Sequence, residues 1–323
     1  MSGPSPDLVR TLVGLACRAP SVHNTQPWRW SSGPEGLDLF ADTQRKLEAS
    51  DPRGRNLMVS CGAALHHAQV VAGALGWQGE VIRHPSGPDT DHLARLVLRP
   101  APVEDEAPDV LRSVRERRTD RRRLTSWPVP DALLHEMART ASAWGVHAVP
   151  LVDVTARFRV DQQVARARDR QSRDPQIAAE QRTWVDHGPL DGIPSTVLPS
   201  VPDSSPVAAP TRFEAGLLDD HLAELETSDG LVLLCGYADA APDWLRTGES
   251  LSALWLRATL DGLSVVPLTQ PIEVEETRMA LMHDVLGGLA IPHLVVRLGW
   301  QALSRSELAP TPRRPLDEVL SIR

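Results

Sequence analysis

The chain has 323 residues, of which 41% are hydrophobic and 24% charged, with a formal net charge of −8. This composition suits one large globular domain or two ordinary ones and is unlike that of a disordered chain. The acidic balance argues against general nucleic-acid binding; no signal-peptide pattern or apolar run of about 18 residues is evident, so a cytoplasmic protein with no membrane partner is expected.

In chain order, Asp7 to Arg18 carries Leu8, Leu12, Leu15 and Ala16 at helical spacing, and Pro20 ends that helix. The run Ala19 to Arg29 (Ala-Pro-Ser-Val-His-Asn-Thr-Gln-Pro-Trp-Arg) is too polar and too rich in proline for a core element. Its Ser, Asn, Thr and Gln side chains both donate and accept hydrogen bonds, which suits the edge of a planar heterocycle. Leu37 to Ala41 reads as a strand, Met58 to Leu75 as a buried helix, and Val81-Ile82 and Leu93 to Leu98 as strands. Asp109 to Arg117 and Asp131 to Ala143 read as helices and Val146 to Val152 as a strand. Leu231 to Tyr237 is a buried strand, Gly248 to Leu260 a helix with Leu251, Leu254, Trp255 and Ala258 on one face, and His293 to Leu298 a final core strand.

Two stretches align without a gap, Gly62 to Gly76 and Gly248 to Gly262. Leu39 to Asp42 resembles Cys235 to Asp239 upstream, and Leu93 to Arg99 resembles His293 to Gly299 downstream. Their common order predicts an internal duplication, with halves at residues 1–105 and 106–323. Between them, residues 188–212 hold Pro189, Pro194, Pro199, Pro202, Pro206 and Pro210, which excludes a helix or a central strand. A solvated linker and a lid both fit; Ile193, Val197, Leu198 and Val201 suit a lid.

No zinc-ligand spacing, phosphate loop, dinucleotide fingerprint or nucleophile elbow occurs. Cys17, Cys61 and Cys235 are far apart and odd in number, so no disulfide framework is expected. Lys46 is the sole lysine, leaving pyridoxal chemistry little to work with. The other charged feature is the cluster Arg115 to Arg123. It reads either as a solvated basic face or as a phosphate clamp, because guanidinium forks match phosphate oxygens.

These segments carry a family resemblance. Pro20-Ser21-Val22-His23-Asn24-Thr25-Gln26-Pro27-Trp28 resembles the Pro-Ser-x-x-Asn-x-Gln-Pro-Trp motif of flavin-dependent nitroreductases. Arg117-Arg118-Thr119-Asp120-Arg121 resembles that family's Arg-Arg-Ser-x-Arg motif. Val265 to Pro271 falls where the family places a segment beside the isoalloxazine ring, and Thr311-Pro312-Arg313-Arg314 resembles its basic C-terminal element. With its Pro-rich insert, the chain resembles the Acg-like group, in which a duplicated nitroreductase fold stands in for the family's homodimer.

The resemblance implies an α+β fold of mainly antiparallel sheets flanked by helices. It also implies one FMN held between the halves, with NAD(P)H as donor and a nitroaromatic or quinone as acceptor. Arg117, Arg118, Thr119 and Arg121 would meet the phosphate and ribityl end or the pyrimidine edge. Arg313 and Arg314 would close the phosphate site. Pro20, Ser21, Asn24 and Gln26 would lie along the ring, Gln26 alternatively holding its own loop, while Pro267, Leu268, Thr269 and Gln270 would flank it. Trp28 is expected in the core. Gln270 stands where the family often has a small residue, which would narrow access to the ring. The second half lacks a Pro-Ser motif and the first lacks an arginine motif, so a second site is expected to be dead. No catalytic side chain is required, and a fused chain could act as a monomer. Three readings stay open: ping-pong hydride transfer, storage of FMN beneath a closed lid without significant turnover, or a structural protein from a degenerate pair that binds nothing.

Overall fold

The computed structural model describes residues 3–200, 218–221, 225, 228–302 and 308–323. Ser5 caps α1 (Pro6–Ala16), its side chain accepting from the Leu8 N–H, and Pro6 stands where a helix needs no amide donor. There follow β1 (Trp28–Gly33), β2 (Gly36–Ala41), α2 (Arg55–Ala74), β3 (Trp77–Arg83) and β4 (His92–Pro100). Next come α3 (Ala107–Glu116), α4 (Asp131–Ser142), β5 (His147–Pro150), α5 (Val154–Ser172) and α6 (Pro175–Trp184). A small pairing joins β6 (Pro199–Ser200) to β7 (Leu218–His221). The chain continues through β8 (Gly230–Gly236), α7 (Ala241–Leu260), β9 (Leu263–Leu268), α8 (Gln270–Glu273), α9 (Glu275–Ala280) and β10 (Ile291–Trp300). It ends with α10 (Leu316–Val319) and β11 (Leu320–Ile322).

Two antiparallel sheets share one plan. The first runs β1-β2-β4-β3, and the second runs β5-β8-β10-β9 in the same topological order. Their registers repeat as well. Leu37 faces Leu96 and Leu39 faces Ala94, just as Val232 faces Val296 and Leu234 faces Leu294. Val81 faces Leu96 as Pro267 faces Val296. Even the irregularity recurs, beside the Phe40–His92 pair in one sheet and the Cys235–Pro292 pair in the other. The C-terminal β11 leaves the second unit and adds in parallel to β1 of the first.

The units meet where α2 crosses α7. A Cβ at Gly62 would lie 2.0 Å from the Leu245 carbonyl oxygen, and one at Gly248 would lie 2.0 Å from that of Val59. Only glycine lets the two backbones approach this closely. Leu57, Cys61, Leu65 and Ala68 of α2 fill one core, and Leu251, Leu254, Trp255 and Ala258 of α7 fill the other. Arg55–Ala74 is, by length and composition, apolar enough to cross a membrane, contrary to the expectation that no such run exists; here it is a core helix largely buried within the molecule.

Most expected elements are present, with ends shifted by a few residues. The helix expected from Gly248 begins two turns earlier, at Ala241, because Pro242 is tolerated in a first turn. Helices α5 and α6, inserted between β5 and β8, were not expected, and neither were β1 and β11. Of the expected lid, residues 201–212 lie outside the described residues.

Candidate functional site

Residues 17–27 join α1 to β1. Three non-glycine residues here adopt the left-handed region: His23 at φ 48°, Asn24 at φ 55° and Gln26 at φ 49°. Each costs about 1–2 kcal/mol, so side chains must hold the loop in place. The Ser21 hydroxyl accepts from the Gln26 amide at 3.0 Å, and the Ser60 hydroxyl accepts from the Val22 amide at 3.1 Å. Asn24 Nδ2 donates to the carbonyls of Gly192 (2.8 Å) and Pro312 (3.1 Å), while its Oδ1 accepts from Arg313 Nη1 at 3.1 Å. Gln26 Nε2 donates to the Leu190 carbonyl at 3.0 Å, and its Oε1 accepts from the Arg314 amide at 2.8 Å.

The loop borders two adjoining chambers. One is mainly apolar, walled by Pro20, Val22, Val59, Leu251, Trp255, Val266, Pro267, Leu268 and Leu294. The other is lined by Arg18, Arg117, Arg118, Arg121 and Arg313, with no carboxylate among its described lining residues. Ser21, Thr119 and Arg121 line both, so the chambers are continuous in their walls. Residues 117–121 supply most of the arginine chamber's cations. Arg117, Arg118, Thr119 and Arg121 all line the chambers, and buried Asp120 bonds Arg122 at 2.6 Å instead.

Arg117 is the most demanding group in the molecule. It is only 5% exposed, and its guanidinium carbon lies 4.7 Å from the centroid of the Trp255 ring. Nη2 donates to the Arg18 carbonyl at 3.1 Å, but buried Nε and Nη1 have no hydrogen-bond acceptor among the described residues. Burial, with Arg313, Arg118 and Arg18 nearby, drives its pKa well below the usual arginine range. Burial first, and then Arg18, lowers that of Arg313 to about 10. Arg313 differs in being satisfied by the Cys17 and Arg18 carbonyls at 2.8 and 3.0 Å. A buried cation with two idle donors beside other cations is a site built for an anion.

The structure brings together Pro20, Ser21, Thr119, Arg121 and Pro267 to Gln270 around the apolar chamber, and Asn24, Arg117, Arg118 and Arg313 around the other. Two expected ligand residues need correction. Gln26 is 1% exposed and lines neither chamber; its amide is used up fastening the loop. Arg314 also lines neither, because Asp42 draws its guanidinium away at 3.2 Å. Asn24 reaches only the arginine chamber, with its side chain committed to backbone and Arg313. Gln270 does not swing across the ring chamber: its Nε2 donates to Gln171 Oε1 at 2.9 Å, and Gln171 and Asn56 both donate to Glu273. Trp28 is fully buried core.

Sequence reasoning missed Trp255, Asn56, Ser60, Arg168 and Arg297 as wall residues. Trp255 was visible only as part of an apolar helix face. Arg168 lies on α5, a helix that was not expected. Arg297 was hidden inside a core strand, where its Nε donates to buried Asp229 at 2.8 Å.

Leu190 to Leu198 lies against the site. Ile193 and Val197 line the arginine chamber, and both are buried together with Leu198. Asp191 bonds Arg45 and His187, and Arg45 also donates to the Thr25 carbonyl. The described part of the insert is therefore bonded to the loop that forms the site.

The repeat also locates the counterpart position, and it is filled. Residues 143–146 alone separate α4 from β5, where residues 17–27 separate α1 from β1. Gln69 and Glu249 occupy the helix positions matching Trp255 and Ala63, and Arg83 ends β3 where Thr269 follows β9. Fully buried Glu249 accepts from Arg83 Nη2 at 2.7 Å and Nε at 2.9 Å, and from Gln69 at 2.7 Å. Trp144 packs edge-on against His66 at 4.2 Å.

Comparison with known proteins sets this geometry in a family. The chain is 38% identical over 322 residues to the Mycobacterium tuberculosis protein named "Putative NAD(P)H nitroreductase Rv3131", covering 98% of this chain and 92% of that one. It is 33% identical to "Putative NAD(P)H nitroreductase acg" of the same organism, covering 98% and 96%. The chain belongs to the Acg-like group of the NAD(P)H nitroreductase family. No family model matches the sequence. Among solved structures, the FMN-dependent nitroreductase NfnB from Mycobacterium smegmatis, in complex with NADPH, aligns at TM-score 0.44 and 15% identity, over 66% of this chain and 97% of that one. The mainly antiparallel α+β architecture agrees with the expectation from the sequence.

Proposed function

We propose that this chain binds one FMN across the two chambers and acts as an NAD(P)H-dependent oxidoreductase on nitro or quinone acceptors. The observation that carries the reading is the joined pair of chambers, one mainly apolar, the other holding Arg117 with two buried donors that have no acceptor among the described residues. A planar ring bearing a phosphorylated tail matches that pairing, and the names of the M. tuberculosis relatives agree with it. Bound FMN would supply hydride transfer between a nicotinamide donor and an acceptor. The chain's own work is positional. Arg117, Arg118, Arg121 and Arg313 hold the phosphate; Pro20, Ser21 and Pro267 to Gln270 flank the ring; Thr119 lies at the junction. No side chain is assigned a catalytic role.

We further propose that residues 1–105 and 106–323 are the halves of a duplicated ancestor, that a single chain suffices, and that the protein works in the cytoplasm. A second reading is FMN storage with little turnover. It draws on the buried Ile193, Val197 and Leu198 and on the bonds from Asn24 and Gln26 to the insert, which would keep a cover closed.

One experiment separates these. Purified protein should show the visible absorbance of a bound flavin at one per chain; a colourless protein that takes up no added FMN refutes both readings. Anaerobic mixing with NADPH should bleach that band if the protein is an oxidoreductase. A band that persists with NADPH and bleaches only with dithionite favours storage. A variant lacking residues 188–200 should then bleach faster.

A further inference from the structure

Helix α5 belongs to the insertion between β5 and β8, whereas residues 34–35 alone join β1 to β2 in the first unit. The last turn of α5 reaches the rim of the apolar chamber through Gln171, which is only 3% exposed. Its side-chain amide bridges both ends of the four-residue α8. Oε1 accepts from Gln270 Nε2 at 2.9 Å, and Nε2 donates to Glu273 Oε2 at 2.6 Å. Asn56 of α2 donates to the other oxygen of Glu273 at 2.7 Å. One carboxylate thus ties α2, α5 and α8 together along one side of the chamber, whose wall includes Asn56 and Gln270. Gln270 carries the longest side chain of the wall segment 266–270, and its amide is the group that Gln171 holds.

We propose that Gln171 is a positioning residue that sets the size limit of the apolar chamber. By keeping Gln270 along the rim, it lets planar molecules of two fused rings, such as naphthoquinones, lie inside. The physical reason is the cost of an orphaned amide. Without the Gln171 acceptor, the half-buried Gln270 donor has lost its partner, and the side chain turns into the chamber, where water can meet it. There it takes the space of a second ring, while a one-ring molecule still fits beside it. The catalytic meaning rests on the flavin reading, since the fused-ring molecule would be the acceptor. The size limit itself is a property of the chamber wall.

The test uses two neutral, unreactive probes of one chemistry and two sizes, benzamide and 2-naphthamide. Each is titrated calorimetrically into the full chain, as purified and after saturation with FMN. The proteins are wild type, Gln171→Leu, and Gln171→Leu combined with Gln270→Ala. Wild type should bind the two-ring probe about tenfold more tightly than the one-ring probe, as burial of a further ring implies. Gln171→Leu keeps the bulk but offers no acceptor, and should bring the two within about twofold. Adding Gln270→Ala should return the preference to within about threefold of wild type, because the obstructing side chain is gone. A wild type that binds neither probe, or both equally, overturns the proposal. So does a preference that survives Gln171→Leu. A loss that Gln270→Ala leaves uncorrected also overturns it, since Gln171 would then matter only to the packing of α8. Flavin absorbance of the same samples reports on the flavin reading separately. If wild type takes up no FMN, that reading fails, yet the probe ratios still decide the role of Gln171.

Discussion

Arg117→Met should move two measurable quantities in opposite directions. In the flavin-free protein, Arg117 buries Nε and Nη1 without acceptors, and a buried unsatisfied donor costs about 1–3 kcal/mol, more when charged. Met keeps an extended side chain against Trp255 and removes that cost. The one bond lost, from Nη2 to the Arg18 carbonyl, leaves no orphan, because Arg313 Nη2 also donates to that oxygen at 3.0 Å. Flavin-free Arg117→Met should therefore be more stable than wild type by about 1–3 kcal/mol in urea. FMN binding should suffer. Two charge-assisted bonds to a phosphate contribute roughly 3–6 kcal/mol together, which is about 10²- to 10⁴-fold in Kd. Equilibrium titration following flavin fluorescence, with melting curves at fixed FMN, reads both. Arg117→Lys should fall between, keeping charge but losing the fork. FMN affinity within about threefold of wild type, or a flavin-free variant less stable than wild type, would refute the reasoning.

Glu249→Ala leaves Arg83 partly buried without its carboxylate and should cost about 3–5 kcal/mol in denaturant, with flavin still binding at one per chain. A rise to two flavins per chain would mean that the pair plugs a competent second site. Gly62→Ala drives a methyl against the Leu245 carbonyl and should lower stability by about 3 kcal/mol or more, read as a lower urea midpoint. Asp51→Asn tests a titration. Burial raises the Asp51 carboxyl from 3.8 to about 7. The folded chain then holds a proton that the unfolded chain releases, so wild type loses stability as pH rises from about 4 to about 7. Asn keeps an acceptor for the Leu57 amide and does not ionise. The variant should match wild type near pH 4 and exceed it at pH 8, by at most about 4 kcal/mol; parallel stability curves would show that Asp51 does not titrate there.

The residues that carried the most information in the sequence were those forced into unusual company. Pro20, Ser21 and the Arg117 to Arg121 run stood out because polar and basic clusters do not build cores, and they do line the chambers. Strands β2, β4, β8 and β10 and helices α1, α2, α4 and α7 were legible from their apolar patterns, whereas α5, α6, β1 and β11 were not. Arg314 was misplaced, and Gln26 was left between ligand and loop, for one physical reason: their types suit a ligand, but their partners lie far away in sequence. Gln26 is claimed by Leu190 and by the amide of Arg314, and Arg314 by Asp42. Arg297 was hidden because its partner Asp229 sits 68 residues away. Trp255 reads as core in any helical projection, and only the folded chain puts Arg117 on its ring.

The two sheets repeat one plan, yet the loops beside them differ in length. Symmetric sheets and a glycine-to-glycine helix crossing fix two equivalent positions. The loop of residues 17–27 is long enough to carry three left-handed residues around one of them, whereas residues 143–146 span the other directly. At the short-loop position a ligand would have no polar rim to meet. An empty chamber there would leave helix faces unpacked at a cavity cost, and Glu249 with Arg83, Gln69 and Trp144 fills it instead. At the long-loop position the wall is left incomplete, and Arg117 remains buried without acceptors. One counterpart is thus closed by the chain's own side chains, while the other holds Arg117 with Nε and Nη1 unpartnered among the described residues.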